Sequence, residues 1–149
     1  MDTLDELNKD NASENAHLRK LVNQLSEAEL RHPMDAGWTV AAVLGHMAFW
    51  DQRAIILTGK WQKEGVGPSA IDTDLVNESM RTLCLAIEPR AAAELAVRLA
   101  DEIDQLIAGL TPAMLEAIQT KGTTVNLRRA NHRRTHLGEI EKALAGRQK

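Results

Sequence analysis

The chain has 149 residues and a formal net charge of −3: long enough for one domain (1–149) with a real core, and too acidic to draw the whole molecule to nucleic acid or an anionic membrane. Aromatic residues make up 3% against 44% hydrophobic, so the core must be aliphatic, which favours helices over sheets. A single cysteine, Cys84, excludes an internal disulfide; with no basic-then-apolar leader and no apolar run of bilayer length, a cytoplasmic protein is expected.

Thr3 followed by Glu6 has the spacing of a capping box and opens a first helix, whose stripe of Leu4, Leu7, Leu18, Leu21 and Leu25 runs to about residue 25. Asn11 and Glu14 occupy stripe positions in its middle. That reads as an exposed or frayed stretch, the alternative being that these groups face a polar pocket. Ser26 and Glu29 repeat the capping pattern, and Asp35-Ala36-Gly37 signals a turn. Thr39 is placed to cap a second helix with a broad apolar face, Val40, Val43, Leu44, Met47, Trp50, Ala54 and Leu57. Such breadth implies burial against more than one neighbour. Gly59 and the stretch Trp61–Ser69 form the longest break, read as a lid or a loose connection.

Asp72 or Thr73 caps a third segment carrying Val76, Met80, Leu83 and Ile87. Pro89 suits the first turn of the next helix, which Leu95, Leu99, Ile103 and Leu106 extend to about Gly109. Thr111-Pro112 starts a short turn, and Lys121-Gly122-Thr123 leads into a last helix with Leu127, Ala130, Leu137, Ile140 and Leu144. No strand alternation and no repeat is present. The fold class expected is all-α, a four-helix bundle with short extra helices.

In the last helix His132 and His136 lie four residues apart, about 40° around one face. Two imidazoles so placed can reach one metal ion, although a core histidine with a hydrogen-bond partner explains either one as well. The third ligand that would separate these readings is His46, in the second helix, with Val43, Trp50 and Arg53 roughly in line with it.

Three stretches carry a resemblance: Gly37-Trp38-Thr39-Val40-Ala41-Ala42-Val43-Leu44-Gly45-His46-Met47-Ala48, then Leu75-Val76-Asn77-Glu78, then Asn131-His132-Arg133-Arg134-Thr135-His136-Leu137-Gly138-Glu139-Ile140-Glu141. In order and separation they resemble the DinB-like family of four-helix-bundle proteins, which includes the thiol-dependent maleylpyruvate isomerases. The resemblance implies a divalent metal, zinc or nickel, held by His46, His132 and His136. It also implies pairing into a homodimer. It leaves the reaction open among thiol transferases, isomerases and hydrolase-like members.

Three neutral imidazoles with an open position form a catalytic rather than a structural metal site. Such a metal lowers the pKa of bound water towards ~7 or holds a thiol as its thiolate. No cysteine accompanies the three histidines, so a low-molecular-weight thiol would have to diffuse in, and Cys84 reads as packing. The function expected is metal-dependent thiol (S-)transfer or hydrolase-like chemistry on a small molecule. The alternative is a non-catalytic dimeric or ligand-binding protein with no metal. Asn131, Glu139 and Asp51 are near enough in sequence to orient the imidazoles. Arg129, one turn before His132, is either an anchor for a substrate carboxylate or a solvated arginine. The tract Arg128, Arg129, Arg133 and Arg134 is expected to be the solvated side of its helix, not a nucleic-acid surface.

Overall fold

Helix caps written in the sequence set most of the element boundaries. The computed structural model describes residues 1–121 and 123–146. Gly122, read above as part of the lead into the last helix, lies outside the described residues. Helix α1 (Leu4–Gln24) opens with a complete Thr3/Glu6 capping box, and the short α2 (Glu27–Leu30) with a complete Ser26/Glu29 box. Thr39 caps α3 (Val40–Glu64) by accepting from the Ala42 amide at 3.1 Å, and Asp72 caps α4 (Thr73–Ala86). Pro89 stands in the first turn of α5 (Pro89–Ala108), and Thr111 caps α6 (Pro112–Thr120). The last helix, α7, spans Arg129–Gly146.

Helices α3, α5, α1 and α7 pack in that cyclic order as a four-helix bundle, and α4 leans on the outer side of α3. Every residue from Val40 to Ala48 is buried, because this stretch of α3 is covered by α4, α5 and α7 together. Gly45 faces Cys84 and Ala92, the nearest atoms of the flanking helices. Among the described residues no strand forms. An isolated bridge between Pro33 and Thr39 brackets a tight turn in which Ala36 (φ 56°) and Gly37 (φ 81°) are left-handed. Arg81 of α4 ties that turn down through the Ala36 carbonyl. No described helix is long and apolar enough to cross a membrane.

The apolar core falls into two parts. One contains Leu18, Leu44, Met47, Ala96, Leu137 and Ile140, and the other Leu7, Ala54, Trp61, Ile103, Ile107 and Leu127. Between them, at mid-height, each bundle helix contributes polar groups: Asn11 from α1, Asp51 from α3, Asp104 from α5, and Arg129 and Arg133 from α7. This layer overturns two expectations. Asn11 is not frayed but 1% exposed: its Nδ2 donates to the Leu127 carbonyl and its Oδ1 accepts from the Ala130 amide, both at 2.9 Å. It therefore serves the N-terminus of α7 from a different helix. The arginine tract is not one solvated side either, since Arg133 is 1% and Arg129 7% exposed. Arg128 meets Asp2 and Asp10, and Arg134 meets Asp10 and Glu14, so each of the four has a carboxylate.

The break after α3 is also shorter than expected. The helix runs through Gly59 and Trp61 to Glu64, leaving 65–72 as the connection. A glycine inside a helix costs about 1 kcal/mol, whereas burying a large apolar side chain contributes roughly 3 kcal/mol. Trp61 is 3% exposed in the second core cluster, so the helix continues.

Replacing Asn11 by Leu leaves a buried carbonyl and a buried amide unpaired, each costing roughly 1–3 kcal/mol. Urea unfolding of Asn11→Leu is expected to show a loss of about 2–4 kcal/mol, and of Ala12→Ser on the exposed side less than about 0.5 kcal/mol. Equal stabilities for the two variants would contradict the role given to Asn11.

Candidate metal centre

His46 sits in the second turn of α3, and His132 and His136 lie one turn apart on α7. Their three Nε2 atoms form a nearly equilateral triangle: 3.2 Å from His46 to His132, 3.2 Å from His46 to His136, and 3.1 Å between the last two. Hydrogen bonds cannot account for it. Each Nε2 presents either a proton or a lone pair to its neighbours. Three atoms share two states, so at least one edge sets like against like. A cation accepted by three lone pairs removes that conflict. Nitrogens bound to one tetrahedral zinc at about 2.0–2.1 Å stand about 3.3 Å apart, and the observed edges fall just inside that value. Among the described residues these histidines are the one group of three or more side chains with metal-ligand chemistry brought so close.

The surroundings of His46 and His132 favour neutral imidazoles. Glu139 Oε2 lies 3.0 Å from His136 Nδ1, which places that ring's proton on Nδ1 and leaves its Nε2 with a lone pair. His46 is 7% exposed and is met edge-on by Trp38 (5.7 Å between ring centroids) and Trp50 (6.5 Å). Its Nδ1 is buried without a protein partner. Burial pushes His46 down to about 4, with the neighbouring His136 adding to the effect. Burial pushes His132 down to about 2, reinforced by His136, Arg129, His46 and Arg133. Both rings are uncharged at neutral pH, so each keeps one nitrogen lone pair for a ligand bond.

The polar layer frames the centre from behind. Arg133 binds Asp104 in a two-pronged pair at 2.9 and 2.8 Å and also donates to the Asn11 carbonyl at 3.0 Å and the Ala100 carbonyl at 3.3 Å. Arg129 Nε donates to Asp51 Oδ1 at 2.8 Å, and Arg133 Nη2 lies 3.8 Å from Asp51 Oδ2. Burial raises the Asp51 pKa, while the two guanidiniums beside it pull the other way. Asn15 steadies Asp104 at 2.9 Å.

All three histidines singled out in the sequence converge. Of the residues read as possible orienters, Glu139 reaches an imidazole. Asp51 serves Arg129 instead, and Asn131 accepts from Arg134 at 3.3 Å. Asn77 accepts from Trp50 Nε1 at 2.9 Å and so holds the aromatic wall of the site. Arg129 is buried in its pair with Asp51; Nη1 donates to the Asn126 carbonyl at 3.2 Å, and Nη2 has no protein partner. Sequence reasoning missed Asp104 and the roles of Asn11 and Arg133. One signal was available, because Arg133 falls in register with Ala130, Leu137 and Ile140 on the inward face of α7.

A family model described as the DinB superfamily matches residues 13–140, a span that includes all three histidines and most of the bundle. The chain belongs to the DinB superfamily. Comparison with curated proteins and with solved structures finds no match. Within the DinB superfamily frame, α3 and α7 are the helices that bring the imidazoles together, and α1 and α5 hold α7 in place.

In metal-free protein the ring signals of His46 and His132 are expected to stay flat in an NMR titration from pH 8 to 5. The unfolded chain takes up protons near pH 6.5, whereas these folded rings take them up near 4 and 2. The unfolded state therefore binds more protons as the pH falls below about 6.5, and metal-free stability declines with it. Midpoints near 6.5 for both rings would contradict their burial.

Proposed function

We propose that His46, His132 and His136 hold a divalent cation, zinc or nickel, through their Nε2 atoms, and that the protein uses this centre for thiol transfer or hydrolysis on a small molecule. The observation that carries the reading is the Nε2 triangle, whose edges suit one ion and frustrate hydrogen bonding. Such a cation, when bound, lowers the pKa of a water towards ~7 or keeps a thiol as its thiolate.

The chain's own residues prepare the site. Glu139 fixes the His136 tautomer, and Trp38 and Trp50 keep water from the flanks of His46. The thiol on this reading is a diffusible low-molecular-weight one. Cys84 is buried with Ala42 and Met80, and burial pushes its thiol up, away from the reactive thiolate. Arg129, as an anchor for a substrate carboxylate, would act through Nη2, the donor its pairing with Asp51 leaves over. The same reading takes the protein to be a cytoplasmic homodimer.

Protein purified without a histidine tag is expected to carry one divalent metal per three-histidine centre, and His132→Ala to carry none. Added zinc at a hundred times its dissociation constant should stabilise metal-free wild type by about 2.7 kcal/mol and leave His132→Ala unchanged. Absence of both metal and stabilisation in wild type would sink the proposal in favour of a non-catalytic member of the fold.

Glu139→Ala tests the orienting contact separately. Its zinc affinity is expected to fall about 10- to 100-fold with the melting temperature of the metal-free protein little changed. With metal loaded, a panel of low-molecular-weight thiols against electrophilic small molecules reads the reaction class.

A further inference from the structure

Two turns beyond His46 on α3, a groove of about 460 Å³ opens between the helix and the 65–72 connection. Phe49, Ile56, Leu57 and Ala70 give it apolar walls, and Phe49 and Ile56 remain 40% and 61% exposed. Arg53 is the one charged side chain in its lining. Its guanidinium is held in place: Nη2 donates to the Ser69 carbonyl at 3.0 Å and to Thr124 Oγ1 at 2.8 Å, and the same two residues are cross-tied by the Thr124 amide to Ser69 Oγ at 2.9 Å. Those bonds use two of the five N–H donors that a guanidinium carries. The other three have no protein acceptor among the described residues.

Arg53 stands apart from its kind. Every other buried or half-buried arginine among the described residues meets a carboxylate: Arg81 with Glu78, Arg90 with Glu27, Arg128 with Asp2 and Asp10, Arg129 with Asp51, Arg133 with Asp104. Arg53 meets neutral oxygens, and the charge that acts on it is the like charge of Arg129. A half-buried cation beside another cation, pre-oriented and facing an apolar groove, lacks an anion. The groove's apolar walls favour a monoanion over a phosphate dianion, whose desolvation is costlier. The groove also adjoins the histidine centre, with the Trp50 ring between them, 5.7 Å from Arg53 Cζ and 6.5 Å from the His46 ring.

We propose that this groove is a subsite for a small monocarboxylate with an apolar body, its carboxylate on Arg53 and its body along Phe49, Ile56 and Leu57. As the substrate's anchor the subsite rests on the metal-centre reading above, but its occupancy can be measured without metal. The volume suits a ligand of about ten heavy atoms, and octanoate is the probe.

Calorimetric titration of metal-free protein should show octanoate binding, with octanamide at least tenfold weaker. Arg53→Gln should weaken octanoate binding at least tenfold. Ile56→Glu, which puts a like charge at an exposed groove position and spares the core, should do the same. His132→Ala should bind octanoate within twofold of wild type, so a failed metal centre and a failed groove give different results. Equal binding of octanoate and octanamide, or of octanoate by wild type and by folded Arg53→Gln, overturns the proposal. Loss of binding in His132→Ala also overturns it, because the carboxylate then sits among the histidines. So does a dimer that Ile56→Glu splits without changing octanoate affinity, because a second copy then covers the groove.

Discussion

The pair between Arg133 and Asp104 is the contact on which the register of α7 depends. The inward face of α7 is not a continuous apolar stripe, since Arg129 and Arg133 are buried on it beside Ala130, Leu137 and Ile140. Buried ion pairs add little net stability against an apolar equivalent, but a buried charge left alone costs about 3–5 kcal/mol. Turning α7 by one residue, about 100°, would strand two guanidiniums in the core and swing both histidines off the centre. The layer therefore acts as a gauge of register more than as a source of stability. The side chain of Asn11 sets the start of the same helix by accepting from the Ala130 amide.

On the other side of the centre, α3 is positioned by burial from every direction. Small residues at Ala41, Ala42, Gly45 and Ala48 let α4 and α5 close on it, so its rotation is as restricted as that of α7. The left-handed turn at Ala36 and Gly37 brings Trp38 against His46, and Asn77 of α4 holds Trp50, which meets the same ring. Two helices fixed by different physics, polar pairing for one and steric enclosure for the other, meet where three imidazoles cannot satisfy one another.

Features carried by local sequence were readable in advance. Thr3/Glu6, Ser26/Glu29, Thr39 and Pro89 stand where their cap or first-turn chemistry puts them, and the three histidines are on the helices that periodicity assigned. Features decided by tertiary partners were not. Asn11 looked like a defect in a leucine stripe because its partners, Leu127 and Ala130, are more than a hundred residues away. Arg133 and Arg129 read as solvated because Asp104 and Asp51 lie on other helices at unrelated spacing. Gly59 read as an end because a local penalty is visible in sequence and the burial of Trp61 in the second core cluster is not.

The charges around the centre bear on what it accepts. Arg129 and Arg133 are paired with Asp51 and Asp104, Glu139 meets His136, and Arg53 has no carboxylate. On the proposed reading a divalent cation brings an excess of two positive charges into surroundings that are largely out of water. Such an excess is strongly disfavoured unless anions accompany it. A thiolate or hydroxide held by that cation would supply one negative charge, and a ligand carboxylate on Arg53 would supply a second. On the two proposals together, the arginine without a carboxylate and the triangle without a proton solution would be two halves of one electrostatic arrangement, in which metal, nucleophile and carboxylate ligand would each lower the cost of holding the others.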